Sequence, residues 1–410
     1  MAGIEALIRE LLETATRSDD PAELIERSCA GLIGLGLPLW RLSVAIQALD
    51  PTIRAISYVW RRGQGLTRAT TPYLPGPDDD LPYRHSPIFA LVRDGQIQRH
   101  WRLDLGEGCA EFPLLREIRD EGATSYFLHV VRFGGEIAAA VPGVGISIAT
   151  DRPGGFTPAD LALFTALMPA VGLASFRYML ARVTSSTLGI YLGERTARRV
   201  LAGEIRRGSG RAIEAAILLA DLRGFTTLAG REPAARVVAW LDEHLEAIGE
   251  PVAANDGEVL KFLGDGLLAV FPVEDGTDDR EACRRALIAA EQALAATDAL
   301  NAQRRAAGEP ELGLDVALHF GEVVYGNVGA ARRLDFTVIG PTVNEASRIE
   351  ALCAELGRPL LLSASFAARC GRPTESLGRF ALRGCVGETE VRGLAPPGAQ
   401  IDVDRAGGAG

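Results

Sequence analysis

The chain lacks any surplus of positive charge: its 410 residues carry 43 lysines and arginines against 53 acids, a formal net charge of −10. A general nucleic-acid binder needs a basic face to neutralise phosphates, so this balance argues against that class, and an anionic substrate would need local help such as metal ions. Cysteine is sparse and unpatterned. Cys29, Cys109, Cys283, Cys353, Cys370 and Cys385 include no C-x-x-C spacing, which leaves neither a zinc knuckle nor a disulfide framework and makes reduced, buried thiols the expectation. Histidine is scarcer still, and His85, His100 and His129 each stand alone, in the manner of structural hydrogen-bonding groups rather than cofactor ligands. No basic segment followed by an apolar one opens the chain. Residues 1–13 form an amphipathic helix pattern carrying acids, which argues against a secretion signal and predicts a cytoplasmic location. The uncharged stretch 161–176 is shorter than the roughly 20 residues a membrane-spanning helix needs and contains Pro169, so no membrane span is expected.

What is present is the composition of a globular protein, 47% hydrophobic and 23% charged, at a length that implies two domains. Residues 1–182 mix helical and strand patterns: helices near 4–16 and 21–35, then apolar strands near 42–46 and 53–60, an α+β module. Asp78, Asp79 and Asp80 fall in a turn-rich stretch and read as a solvated loop. At Thr157-Pro158-Ala159-Asp160 the pattern opens a helix, with Thr157 as N-cap, Pro158 at the first helical position and Asp160 closing a capping box. Residues 183–211 read as a linker with a helical run near 190–201, either exposed or a joint passing strain between the halves. From 212 to 404 the order becomes β, α, β, β, α, β: a strand at 215–220, a helix at 233–248, a hairpin at 258–271 and a long helix at 279–304. A further hairpin is expected from 314–320 and 322–328. That order implies a ferredoxin-like sheet with helices on one face.

Two acids follow apolar runs at turns: Asp221, in Asp221-Leu222-Arg223-Gly224-Phe225-Thr226, and Asp265, in Lys261-Phe262-Leu263-Gly264-Asp265-Gly266. Carboxylates placed there project from a sheet edge, where two of them can bridge a pair of hard cations. Taken singly, each is equally an Asx turn or a helix cap. Further on, residues 335–348 run from a strand through Gly340-Pro341 into a helix that puts Asn344 and Arg348 on one face, four residues apart. An amide and a guanidinium so placed can approach one ligand together, as a ribose oxygen beside a phosphate would require.

Together with His319-Phe320-Gly321 and Gly326-Asn327-Val328-Gly329, these motifs over residues 213–394 resemble the catalytic domain of class III nucleotidyl cyclases. The end of the first module, a strand at 143–148, a turn and a capped helix from 157, is similar to a GAF-like sensor domain whose last helix continues into a dimerising signalling helix. The implied fold is a ferredoxin-like cyclase domain preceded by a GAF-like α+β domain. By this resemblance Asp221 and Asp265 bind two Mg2+ or Mn2+ ions per active site, and the backbone amides of Leu222, Arg223, Gly224, Phe225 and Thr226 cradle phosphates. Asn344 orients the ribose, Arg348 stabilises transition-state charge, and Arg383 stands where the family often has a lysine for the terminal phosphates. Lys261 matches the adenine-reading lysine, and Thr337 takes a position commonly held by aspartate, as in a bacterial subclass that uses ATP and includes bicarbonate-responsive members. The substrate implied is ATP, and the active form a homodimer through the cyclase domain and signalling helix, with one chain supplying metal ligands and its partner the base and transition-state groups. A small-molecule ligand of the first domain is left open. The alternatives are a guanylate cyclase and a catalytically silent nucleotide-binding module.

Overall fold

The computed structural model describes residues 2–47, 53–73, 81–134, 143–274, 276–330, 333–384 and 387–396. Asp78, Asp79, Asp80 and Cys385 lie outside the described residues. The chain divides into two compact units, Met1–Thr187 and Leu188–Gly410.

The N-terminal unit runs through helices α1 (Ala2–Arg17) and α2 (Pro21–Gly34), strands β1 (Arg41–Gln47), β2 (Ile53–Arg61) and β3 (Gly65–Pro72), and short helices α3 (Leu81–Arg84) and α4 (Pro87–Arg93). It continues with β4 (Gln98–Arg102), α5 (Pro113–Asp120), β5 (Ser125–Arg132), β6 (Gly143–Thr150) and the long helix α6 (Pro158–Leu192). Its six strands form one antiparallel sheet in the order β3-β2-β1-β6-β5-β4, an arrangement consistent with the GAF-like expectation. Strand alternation builds two cores. Leu42, Val44, Ile146 and Ile148 face α1, α2 and α6, while Trp101, Tyr126, Leu128 and Ala149 face Leu91 of α4 and Leu115 and Ile118 of α5. Each fully buried aliphatic side chain of this kind contributes roughly 1.5–3 kcal/mol.

The expected capping box is present: Thr157 Oγ1 accepts from the Asp160 N–H at 3.2 Å, and the Asp160 carboxylate accepts from the Thr157 N–H at 2.7 Å. The helix it opens is longer than the apolar stretch implied, 35 residues, with Pro169 inside it. By length and composition it is sufficient to cross a membrane. Phe164, Leu167, Met168, Val171, Ala174 and Tyr178, however, are buried in the core of the N-terminal unit.

The C-terminal unit begins with α7 (Glu194–Leu201), β7 (Gly210–Arg223), α8 (Phe225–Ala229), α9 (Ala234–Ala254), β8 (Glu258–Leu263) and β9 (Gly266–Pro272). Then come α10 (Asp279–Ala306), β10 (Gly313–Ala330), β11 (Arg333–Ile339), α11 (Pro341–Glu350), α12 (Leu352–Leu356), β12 (Leu360–Ser363), α13 (Ala364–Ala367), β13 (Thr374–Ala381) and β14 (Glu388–Leu394). The central order β10-β7-β9-β8 is that of a ferredoxin-like βαββαβ unit, extended by β12, β14 and β13, with β11 pairing β10. Two expectations are corrected. Helices cover both faces: α9 and α10 pack on Ala216, Leu218 and Ala220, and α11 packs on the face of Ile213, Ala215, Ile217 and Leu219. Residues 314–328 are not a hairpin but part of the single 18-residue strand β10, paired with β7 from Gly313 to Gly326. Gly321, which reads as a turn in sequence, instead makes room for α11, since a Cβ there would lie 2.9 Å from Thr342 Oγ1.

The stretch 183–211, expected to be either an exposed linker or a joint, holds the end of α6, all of α7 and the start of β7. The division between units falls after Thr187, within α6, and α7 is packed against the C-terminal unit with Thr196 and Ala197 buried. The buried Glu258 carboxylate accepts the Thr196 N–H and the Tyr325 hydroxyl, each at 2.7 Å. Arg199 lies 4.7 Å from the Tyr325 ring centroid and donates to Glu274 at 2.9 Å.

Candidate active site

Asp221 sits near the end of β7, where Gly266 of β9 is its cross-strand partner. A Cβ on Gly266 would come within 2.7 Å of Asp221 Oδ1, so glycine is needed for the hairpin to approach this closely. Asp265 occupies the turn before Gly266, beside Gly264 in the left-handed region (φ 74°). Burial first, then the charges of Asp265 and Asp315, push the Asp221 carboxyl up to about 6. Among the described residues no lysine or arginine offsets this. Arg223, the nearest guanidinium in sequence, is held by Asp315, with Nε to Oδ2 at 3.0 Å and a second, shorter contact.

Glu350, at the end of α11, completes this acidic pocket, and its role was not legible in sequence. Burial first, then Asp221, Asp315 and Asp265, push it up to about 7. Among the described residues no group of three or more metal-ligating side chains is arranged to enclose an ion. A pair of uncompensated carboxylates at a sheet edge nonetheless fits Mg2+ or Mn2+, which take one or two protein carboxylates and draw their remaining oxygens from water and phosphates.

After Asp221 the chain turns at Gly224 (φ 85°) into α8, whose start has no side-chain cap. Leu222 and Phe225 point into the core while Thr226 is exposed, so only the backbone of this turn faces outward at the first two. On β8, the Lys261 ammonium lies 3.8 Å from the Asp335 carboxylate of β11. Two residues on, Thr337 is 5% exposed and its hydroxyl has no hydrogen-bond partner. These two positions are thus brought to one place. Asn344 and Arg348 lie on the exposed side of α11, whose Thr342, Ala346 and Ile349 face inward, and Arg383 is exposed beyond β13. Among the described residues, neither Arg348 nor Arg383 makes an ion pair, and neither acts on the acids.

Other parts of the motifs are scaffold. His319 is buried, pushed down to about 4 by burial, and 3.5 Å from the Glu345 carboxylate; Asn327 donates to the Glu204 carbonyl at 2.6 Å. In the N-terminal unit His100 bonds Ser125 at 2.6 Å. Across both units Cys29, Cys109, Cys283, Cys353 and Cys370 are buried free thiols, as expected.

Residues 209–391 match the family described as the adenylate and guanylate cyclase catalytic domain. The C-terminal unit is a class III nucleotidyl cyclase domain. Adenylate cyclase 1 of Rhizobium meliloti (strain 1021) is 36% identical over 220 residues, 52% of this chain and 32% of that protein. The adenylate cyclase of Anabaena cylindrica is 32% identical over 178 residues, 43% of this chain and 34% of that protein. The chain therefore spans about a third of the length of these curated relatives. Among solved structures, the adenylyl cyclase CyaB from P. aeruginosa is similar at a TM-score of 0.43 and 22% identity, covering 48% of this chain and 100% of that one. Within the cyclase domain, Lys261 has one further distinction: it is the only lysine in the entire sequence. In a chain that otherwise uses arginine throughout, the one compact ammonium lies against Asp335 of β11, two residues before the unpartnered Thr337 hydroxyl.

Proposed function

We propose that the chain is an adenylate cyclase, converting ATP to 3′,5′-cyclic AMP and pyrophosphate in a homodimer. The observation that carries this reading is Lys261 lying 3.8 Å from Asp335 of β11, two residues before the buried, unpartnered Thr337 hydroxyl. The ammonium is a point donor for a ring-nitrogen acceptor, and the buried hydroxyl without a partner gains one when it accepts from the exocyclic amine of adenine. Guanine presents donors where adenine presents acceptors, so Lys261 disfavours it.

Asp221 and Asp265 would hold two Mg2+ or Mn2+ ions. When bound, these supply a lowered pKa for the ribose 3′-hydroxyl and charge neutralisation of the triphosphate. The amides from Leu222 to Thr226 face phosphate oxygens, Asn344 orients the ribose, Arg348 stabilises charge on the reacting phosphate, and Arg383 meets the terminal phosphates. Because no cation among the described residues acts on Asp221, the arginines and the base-reading residues serve the acids of a second copy. Exposed apolar side chains support such pairing: Phe262 is 58% exposed and Leu263 47%, beside the acid-bearing turn. Along α6, Leu173, Phe176, Leu180, Val183, Thr187 and Ile190 recur at alternating spacings of three and four, the seam of a two-stranded coiled coil.

The N-terminal unit acts as a GAF-like sensor in the cytoplasm. It holds a cavity of about 590 Å3, lined by Ala45, Arg54, Tyr83, Ile88, Val130 and Gly145 among others, of a size suited to a small-molecule ligand. The test is purified protein with Mn2+ and ATP or GTP, with the product identified. Cyclic AMP from ATP is expected; preferential turnover of GTP, or nucleotide binding without cyclic product, would overturn the reading.

A further inference from the structure

The cavity of about 590 Å3 in the N-terminal unit has a floor almost without side chains. Ala45 of β1 is the cross-strand partner of Gly145 on β6, and Gly145 is that of Val130 on β5. Two residues along the same face, Gln47 stands opposite Ala55 of β2, and Gly143 opposite Arg132. Ala45, Ala55, Gly143 and Gly145 thus leave the sheet bare between β2 and β5. A Cβ on Gly145 would come within 2.6 Å of Ile88 Cδ1, so glycine is needed where Ile88 leans over the floor.

The walls are apolar and the rim is cationic. Ile88, Phe89 and Val92 of α4 and Val130 of β5 line the cavity, and the Tyr83 ring of α3 stands edge-on to Phe89 with centroids 5.3 Å apart. The Arg54 guanidinium lies 5.3 Å from the Tyr83 centroid. Arg54, Arg84 and Arg132 are the charged residues of the lining, which includes no acid. Arg132 ends β5, is exposed, and makes no ion pair among the described residues.

We propose that this cavity binds an amphipathic carboxylate, its apolar body on the bare floor and its carboxylate at the rim against Arg132. Walls of this kind favour an apolar body, and an arginine fork takes both oxygens of a carboxylate side by side. A cation at the same rim is repelled, and a small polar molecule gains little from the walls. The proposal rests on the reading of this unit as a small-molecule sensor and adds the class of its ligand. It involves only the N-terminal unit.

The experiment is calorimetric titration of the full chain with decanoate, below the concentration at which it forms micelles. Decan-1-ol and decylammonium serve as neutral and cationic controls with the same tail. Decanoate should bind saturably, one per chain, with decan-1-ol about ten-fold weaker or more and decylammonium weaker still. Arg132→Gln, at an exposed position, should keep the fold and weaken decanoate about ten-fold while leaving decan-1-ol unchanged, a split that a loss of structure would not produce. Ala45→Leu, which fills the floor, should abolish binding of both. Saturable decan-1-ol binding as tight as that of decanoate would keep a small-molecule site but overturn the carboxylate. Absence of saturable decanoate binding, undiminished decanoate affinity in Arg132→Gln, or undiminished binding in Ala45→Leu would overturn the proposal as well. Binding is read without cyclase activity, so a failure here and a failure to form cyclic AMP are separate results.

Discussion

Asp221 and Asp315 stand directly opposite one another on β7 and β10, and Arg223, two residues beyond Asp221 on the same strand, binds Asp315 and leaves Asp221 without a cation among the described residues. Like charges directly opposite on a ladder are unfavourable. The arrangement therefore keeps one carboxylate satisfied by protein and the other available for a ligand.

If that second carboxylate is a metal ligand, Asp221→Ala should lower cyclase activity at least about 100-fold and weaken Mn2+ binding measured calorimetrically, with the fold intact. Arg348→Ala should cost about 10²–10³ in kcat, the range found when one charge-stabilising donor is removed. Mixing the two inactive variants should restore activity, since a mixed dimer keeps one site with both halves whole. No recovery in the mixture would rule out a shared site.

Acidity should also be visible in stability. Asp221 and Glu350 are raised to about 6 and about 7, so both bind protons more tightly folded than unfolded. Their contribution is complete below the ordinary carboxylate range, about pH 4, and is lost as pH rises through 6 to 7. Buried His319, held near 4, works in the opposite direction. The combined variant Asp221→Asn/Glu350→Gln isolates the acids. Its Tm should fall less than that of the parent between pH 5 and pH 8, roughly the window these shifts span, and excess Mn2+ at the alkaline end should raise the parent's Tm alone.

Because Lys261 is the sole lysine, an amine-directed acylating reagent should modify the chain at Lys261 and its α-amino group only. ATP with Mn2+ should protect Lys261, read by peptide mass mapping. Lys261→Arg should raise KM for ATP about ten-fold or more, since the planar fork does not reproduce a point donor. Equal labelling with and without ATP would separate Lys261 from the nucleotide.

Gly193 is in the left-handed region (φ 83°) just before α7, and a Cβ there would meet the Glu258 carboxylate at 2.8 Å. Gly193→Ala should therefore destabilise the C-terminal unit by about 1–3 kcal/mol, measured by denaturant titration. Glu258→Gln keeps the shape but weakens the bond from Tyr325, and should destabilise without blocking folding.

Local chemistry alone was enough to read several elements. The Thr157–Asp160 capping box and the hairpin of β8 and β9 around Asp265 depend on neighbours in sequence, so they were visible there; the strand read at 215–220 was visible too, but it runs from Gly210 to Arg223 and so includes Asp221 instead of stopping before it. The continuity of β10 was not. Gly321 favours a turn taken locally, and only the close approach of Thr342, 21 residues further on, explains why it lies in mid-strand. Glu350 was missed for the same reason, since nothing near it in sequence says that α11 brings it beside Asp221.

By itself, then, the sequence determined the residue chemistry of the C-terminal unit: two acids after apolar runs, one lysine, an asparagine and arginine four apart, each placed by short-range periodicity. Tertiary structure alone decided which of these groups meet. Burial and charge act through space, so the unbalanced acids, the unpartnered Thr337 hydroxyl and the bare cavity floor of Ala45 and Gly145 emerge only once strands distant in the chain have been paired.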